Sequence, residues 1–403
     1  MVSICNSNRV SYMESRQNLD SLPLELEVEI LSRLSLKQLL RLRCLSKWWN
    51  AEISSPSFSK LYQQRRKGLD AENDSDSDSV IMVSKESIFS LDLRSNKFVE
   101  LPPPPRAARF VCSFNGMLLF VELKSNLWEC VLYNPLIGAY TVLPQLIIDV
   151  VDHPGPNFLR EEMPFIGFGY DSKSDDLKIL SLIQYTSKGR YLTHLSHEAA
   201  YIYSMKTKSW KVVKPYTQGE YQYMSKHSKM VYCNDALHWI SIHKNDQVYT
   251  IISALNLGTE KDYVLPNPDD QICYLVSNLA VLKGFLHLIN NSRITEYDIW
   301  IMREYGVKRS WTLLYRCLLA DLMAPHSLRA CFNSQVPYAY SEDGQEILVG
   351  VSWCPVNFVC CNLQTRGIKK VKPTYLRLET HFNMRLDYPM VPWVPSLTHP
   401  CSL

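Results

Sequence analysis

The sequence predicts an α+β, multi-domain chain: a small N-terminal helical head followed by an all-β, propeller-like body of six blades. Three observations carry that reading. Apolar residues recur at helical spacing between residues 22 and 66. From Ile81 onward the period shortens to two, in short apolar and aromatic runs separated by turn residues. Within that stretch one unit occurs six times: a strand ending near Asp, Asn or Ser, a polar turn, and a second strand. The resulting boundaries are a polar, disordered N-terminus at 1–21, the head at 22–66, an acidic linker at 67–80 and the body at 81–403.

Size and composition agree. At roughly 150 residues per domain, 403 residues make two or three domains. The apolar share of 46% and charged share of 21% are those of a globular chain with ample core material. Lys plus Arg number 43 and Asp plus Glu 40, so no basic excess marks a nucleic-acid partner. Residues 1–21 lack the apolar run of a signal peptide, and Met13 is a second possible start. No stretch reaches the roughly eighteen apolar residues of a membrane span, so no membrane partner is expected. The 12 cysteines show no CxxC spacing, and most sit in apolar runs. They read as free buried thiols in a reducing compartment, the cytoplasm and/or the nucleus.

In the head, Leu26, Ile30, Leu31 and Leu34 share one helical stripe. Ser35 can cap a second helix carrying Leu36, Leu39, Leu40 and Arg43. Leu45, Trp49 and Ile53 are spaced by four, and after a break at Pro56 a short helix begins with Phe58, Leu61 and Tyr62. So small a unit cannot bury this many Leu and Trp by itself, so part of its apolar surface must face something else.

The head resembles an F-box. The matching residues are Leu22-Pro23, Ile30-Leu31-x-Arg33-Leu34, Arg41-x-Arg43-x-x-Ser46-Lys47-x-Trp49 and Pro56-x-Phe58. Ser35 stands where the family usually has Pro, and Glu25 where Asp is common. The resemblance implies docking on a Skp-type adaptor and, through it, on the cullin and RING subunits of a ubiquitin ligase. The adaptor-binding residues it implies are Leu22, Pro23, Leu26, Ile30, Leu31, Leu34, Leu39, Leu40 and Trp49.

Residues 70–79 carry five acids and no base or large apolar side chain. They cannot pack and are expected to separate the head from the body. Phosphorylation across Ser75 to Ser79 would stiffen such a spacer by self-repulsion.

The six body units centre on Asp92, Asn134, Ser204, Asn256, Asp298 and Asn362, spaced 42 to 70 residues apart. A four-stranded blade needs about 40–50 residues, so the longer steps hold loop insertions. Five units follow an inner hairpin, at Asn115-Gly116, Asp171 to Asp176, Asn234-Asp235, Lys283-Gly284 and Asp343-Gly344. The first unit has none. C-terminal residues after Lys372 are therefore expected to complete the first blade by pairing with strands between Ile88 and Val99, because an open ring would leave sticky edges.

Phe168 to Ile179, Tyr203 to Trp210, Asn234 to Trp239 and above all Ile299 to Trp311 resemble the F-box-associated domain of plant F-box proteins, which include S-locus-F-box-like and F-box/kelch-like receptors. With only 14 glycines, a divergent propeller is expected.

Catalytic patterns are absent from the sequence. His194-x-x-His197-Glu198 lacks the order that puts two ligands on one helical face. Gly167-Phe-Gly169 has no following helix to cradle a phosphate, and no GxSxG or Walker pattern occurs. His238 reads as a strand residue, and Arg303 to Tyr305 as a turn. No catalytic residue, cofactor or metal is expected. The expected function is that of a non-catalytic substrate receptor of an SCF-type ubiquitin ligase, holding a protein target for ubiquitination and degradation. The alternatives are a non-degradative Skp-binding scaffold and a small-molecule-sensing propeller. Recognition is expected on long loops at 145–164, 184–199, 215–228 and 318–335, which the blade topology sends to one face. Their candidate contact residues are Phe158, Arg160, Arg190, Tyr191, Tyr216, Tyr221 and Tyr223.

Overall fold

The computed structural model describes residues 23–66, 79–83, 87–92, 97–104, 108–124, 127–146, 158–160, 165–187, 196–213, 222–224, 229–244, 248–268, 277–293, 296–318, 321, 336–341, 343–351, 357–371, 390–393, 395–397 and 400.

Four short helices build the head: α1 (Leu24–Leu31), α2 (Leu36–Arg43), α3 (Lys47–Ile53) and α4 (Pro56–Arg66). The starts of α2, α3 and α4 have local causes. Ser35 and Gln38 form a reciprocal capping box on α2. Ser46 Oγ accepts from Trp48 N–H at α3, and Ser55 Oγ from Phe58 N–H at α4. Pro56 opens α4, where its missing N–H costs nothing. Leu45 is therefore not on the helix of Trp49 and Ile53; it sits in the turn between α2 and α3, 73% exposed. Across the head, Glu29 on α1 bonds both Arg33 and Arg65 of α4, and these two guanidinium groups pull its carboxyl down to about 2.

The body is a six-bladed propeller. Blade 1 holds β1 (Ser79–Val83), β2 (Ile88–Asp92) and β3 (Lys97–Leu101). Blade 2 holds β4 (Arg109–Phe114), β5 (Met117–Lys124), β6 (Leu127–Asn134) and β7 (Ala139–Val142). Blade 3 comprises β8 (Phe158–Arg160), β9 (Phe165–Asp171), β10 (Asp176–Ser187), β11 (Ser196–Ser204) and β12 (Ser209–Val213). Blade 4 comprises β13 (Gln222–Met224), β14 (Val231–Cys233), β15 (Ala236–Lys244), β16 (Val248–Asn256) and β17 (Asp262–Leu265). Blade 5 holds β18 (Ser277–Leu282), β19 (Phe285–Arg293), β20 (Glu296–Met302) and β21 (Trp311–Leu318). Blade 6 holds β22 (Val336–Tyr340), β23 (Glu346–Val351), β24 (Asn357–Asn362) and β25 (Ile368–Val371).

The fourth strand of blade 1 is β26 (Met390–Trp393), so the C-terminal region does close the ring. Its partner differs from the expected one. It pairs with β1, from Ser79↔Trp393 to Met82↔Met390, and reaches the 88–92 strand only through β1. Ser79 and Val80 thus belong to a strand, not to the spacer. The innermost strands β26, β4, β9, β14, β18 and β22 contact one another in that order, and β22 returns to β26.

Each pair of neighbouring blades shares one apolar core. Phe120 and Val131 face Ile81 and Trp393 of blade 1, whereas Leu119 and Leu132 face Phe168 and Ile179 of blade 3. Leu180 and Ile202 meet Trp239 and Leu255; Ile240 and Ile252 meet Leu288 and Trp311. Ile289 and Tyr297 meet Val349 and Val359, and Tyr338 and Phe358 meet Val80 and Leu91. The middle strands are buried on both faces, which is why runs such as Met117 to Val121 are continuously apolar.

The repeated Asn or Ser at the end of the third strand has a definite job. Asn256 Oδ1 accepts from the backbone N–H groups of Gly258 and Thr259, and Asn362 Oδ1 from those of Gln364 and Thr365. Asn134 Oδ1 accepts from Leu136 N–H and Ser204 Oγ from Thr207 N–H. Blade 5 departs from the expected unit: Asp298 lies near the start of β20, away from the β20–β21 turn, and forms a two-pronged pair with Arg316 at 2.7 Å on both oxygens.

Antiparallel strand order fixes two ends of the ring. The first-to-second and third-to-fourth turns leave at one end; the second-to-third and inter-blade connections leave at the other. The head sits at the turn end. Ile137, in the β6–β7 turn, and Leu397, just beyond β26, complete the core of Leu31, Leu36, Leu39, Ile53, Phe58 and Tyr62. The head and body are therefore in direct contact, not held apart as the acidic spacer suggested; residues 67–78 themselves lie outside the described residues.

Candidate partner-binding surfaces

Residues of the head divide into a core and an uncovered stripe. Leu31 and Leu39 are buried at 4% and 0% exposure, so they support the surface from beneath instead of forming it. Leu34, Leu40 and Trp49 are half-buried around the same core. Pro23 is exposed, and Leu26 and Ile30, one helical turn apart on α1, are 49% and 51% exposed. Leu22 lies outside the described residues. Leu45 adds a further uncovered apolar side chain, although its spacing from Trp49 and Ile53 is helical. Its signal was available in Ser46, whose hydroxyl starts α3 after it. Large apolar side chains left this far in water are costly, at ~25 cal/mol per Å² of apolar surface, and form an interaction surface.

At the far end of the ring, two three-residue strands lengthen blades 3 and 4. β8 pairs with the end of β10, Arg160↔Tyr185 to Phe158↔Ser187. β13 pairs with the end of β15, including Tyr223↔Ile242. Phe158, Arg160 and Tyr223 therefore lie on these strands, not on irregular loops. The 184–199 loop is also shorter than expected, since β10 runs to Ser187 and β11 starts at Ser196. Arg190, Tyr191, Tyr216 and Tyr221 lie outside the described residues.

The buried polar groups of the body act as staples between blades. Lys178 of β10 reaches Asp171 at 3.0 Å and donates to Leu257 O of blade 4 at 2.7 Å. Burial alone would raise the Asp171 carboxyl, but hydrogen bonds from Ser174, Lys178 and the Lys173 N–H hold it below its ordinary value. His238 occupies the equivalent place in β15. Its Nδ1 donates to Val231 O, and its Nε2 accepts at 2.5 Å from Tyr305 of blade 5, which also bonds Tyr263. His287, in β19, does the same toward blade 6: Nδ1 bonds Phe285 O at 2.9 Å and Nε2 accepts from Tyr340 at 2.7 Å. Burial lowers both imidazoles to about 4. Tyr305, read as a turn residue, is thus part of an inter-blade clamp.

Each of these groups is engaged in hydrogen bonds or ion pairs within the propeller. Burial pushes the Cys112 and Cys130 thiols up to about 12, which leaves them inert at neutral pH. Gly167 and Gly169 lie on β9 because blade 4 packs on them: a Cβ would meet Met230 Cβ at 2.6 Å or Tyr232 Cδ2 at 2.1 Å. Among the described residues no group of three His, Cys, Asp or Glu could hold a metal ion. His194 lies outside the described residues, as do the side chains of His197 and Glu198.

Comparison with known proteins agrees with this geometry. An F-box-like pattern matches residues 19–64. The F-box associated beta propeller domain pattern matches residues 75–399. The chain belongs to the F-box associated β-propeller family. Its head is the F-box and its six-bladed ring the associated domain. F-box protein CPR1 of Arabidopsis thaliana is 24% identical over 345 residues, covering 82% of this chain and 79% of that protein. An F-box/kelch-repeat protein of Arabidopsis thaliana is 27% identical over 307 residues, covering 73% and 79%. F-box plus propeller fits the architecture of an F-box substrate receptor.

Proposed function

We propose that this chain is the substrate-recognition subunit of an SCF-type ubiquitin ligase, acting in the cytoplasm and/or the nucleus. The F-box binds a Skp-type adaptor, and the cullin and RING subunits follow through it. The connections at the far end of the propeller hold a protein target. The observation that carries the reading is that Pro23, Leu26, Ile30 and Leu45 stay uncovered on a head whose core is already packed against the body. The receptor does no chemistry; it raises the local concentration of target lysines near the charged conjugating enzyme.

The test is co-purification with a Skp-type adaptor. Leu26→Asp combined with Ile30→Asp puts two charges into the stripe without touching the F-box core. Binding is expected to weaken at least a hundredfold while the circular dichroism of the body is unchanged. Undiminished adaptor binding by a folded double variant would overturn the assignment.

A further inference from the structure

The end of the chain does three things within eight residues. Met390–Trp393 forms β26 and closes the ring. Ser396 then straps blade 2: its Oγ donates to Asn115 O at 2.6 Å, and its carbonyl accepts from Asn134 Nδ2 at 2.9 Å. The fit is close enough that a Cβ on Gly116 would lie 2.3 Å from Ser396 Oγ. Leu397 then enters the F-box core at 1% exposure.

A second contact is made from the F-box side. Arg43, at the end of α2, donates through Nη1 to Leu136 O at 2.5 Å and through Nη2 to Ile137 O at 3.3 Å. Its Nε is held by Asn50 Oδ1 at 2.9 Å, which aims the fork at the β6–β7 turn. Two carbonyls at a tight turn, facing a fixed guanidinium, make a directional joint. Ile137, from the same turn, is buried in the F-box core beside Leu397.

We propose that Arg43, Ile137 and Leu397 are positioning residues that lock the F-box onto blade 2, and that the C-terminal segment is a structural part of the F-box. Closing the ring delivers Leu397 to the head, so the complete F-box core forms only on a closed propeller. The orientation between the adaptor stripe and the far-end connections is then set by packing, and the acidic linker is a second, dispensable tether. The lock covers a side of the F-box distinct from Leu26, Ile30 and Leu45, which stay exposed with the lock in place.

The experiment cuts the tether. A site-specific protease sequence is inserted within residues 70–78 of the full chain, and the purified protein is cleaved and passed over a size-exclusion column. The F-box fragment is expected to elute with the propeller. Arg43→Ala and Leu397→Ala are each expected to speed its loss at least tenfold, with the tryptophan fluorescence of the body unchanged. Immediate separation of the wild-type fragments would overturn the proposal, and so would equal retention in wild type and both variants. The wild-type arm needs no variant to fold. No adaptor is present, so the outcome is independent of the ubiquitin-ligase reading.

Discussion

Acidification is expected to weaken the propeller through two residues, His238 and His287, before its carboxylates respond. Both imidazoles are fully buried, each has one nitrogen on a backbone carbonyl, and each offers the other to a tyrosine of the next blade. Their pKa falls from 6.5 to about 4 on folding. A lowered base binds its proton first in the unfolded chain, so stability is full above about pH 6.5 and drains as pH falls toward 4. At pH 5 the loss comes to about 2 kcal/mol per histidine, and at pH 4 to about 3. The window between pH 7 and 5 is the informative one. Glu29, at about 2, and Asp171 and Asp343, both held below the ordinary carboxyl value, keep their charge there. The assay is urea unfolding of the full chain at pH 7 and pH 5, for wild type and for His238→Gln with His287→Gln. The Gln variant can still accept from the tyrosine hydroxyls but cannot titrate. Wild type should lose about 4 kcal/mol more than the variant between the two pH values. Equal losses would refute the reasoning, because the two buried bases would then carry none of the pH dependence.

Three further outcomes follow from the same geometry. Gly169→Ala should destabilise the body by about 1–3 kcal/mol, read as a lower urea midpoint, since its Cβ would lie 2.1 Å from Tyr232 Cδ2; an unchanged midpoint would show that the blade 3–4 contact is loose. Arg316→Ala strands the Asp298 carboxylate at 1% exposure, and thermal unfolding should report a loss of about 2 kcal/mol, below the cost of a fully buried pair because Arg316 is partly in water; a neutral effect would mean that solvent replaces the guanidinium. Replacing 188–195 and 214–221 by short Gly-Ser turns should abolish capture of the target protein and spare adaptor binding, measured by affinity purification of both; target capture that survives both replacements would move recognition to the outer blade edges.

Much of the propeller was legible because its signals are local. A side-chain oxygen that caps a turn must lie within two or three residues of the N–H groups it satisfies, so the outer units at Asn134, Ser204, Asn256 and Asn362 stood out in the sequence. Inner hairpins were marked by residues that tolerate a positive φ, such as Asn115, Asn234 and Asp235. What escaped was non-local or too short. β8 and β13 have three residues each, less than the alternation needed to define a strand. β1 begins directly behind the acidic run, and Ser79 gives no sign of pairing with Trp393. In the F-box, periodicity marked every apolar position but could not separate Leu31 and Leu39, which fill the core, from Leu26 and Ile30, which do not. That division depends on where the other helices and the body lie. The lock on blade 2 left the least trace: Arg43 binds backbone carbonyls, which any residue supplies, and Leu397 stands alone in an aperiodic tail.

The low glycine content of the propeller has a physical explanation in its outer turns. Equivalent turns of blades 2, 3, 4 and 6 place Gly138, Lys208, Glu260 and Arg366 at a positive φ, between 55° and 69°. Only one of the four is glycine. An ordinary side chain in that region costs roughly 1–2 kcal/mol. Each turn offsets the cost by hydrogen bonds that fix its conformation, the capping Asn or Ser at its start and a backbone bond such as Lys208 N–H to Ser204 O at 2.8 Å. In exchange the position carries a side chain that glycine lacks. Glu260 uses it to bridge blades, with its carboxylate 3.5 Å from Lys178 and 2.5 Å from Lys211, both of blade 3. Arg366 donates to Leu314 O of blade 5 at 2.6 Å and lies over the Tyr315 ring. Where a glycine-rich propeller would take the strained position at no steric cost, this one accepts the strain and turns the side chain into an inter-blade contact.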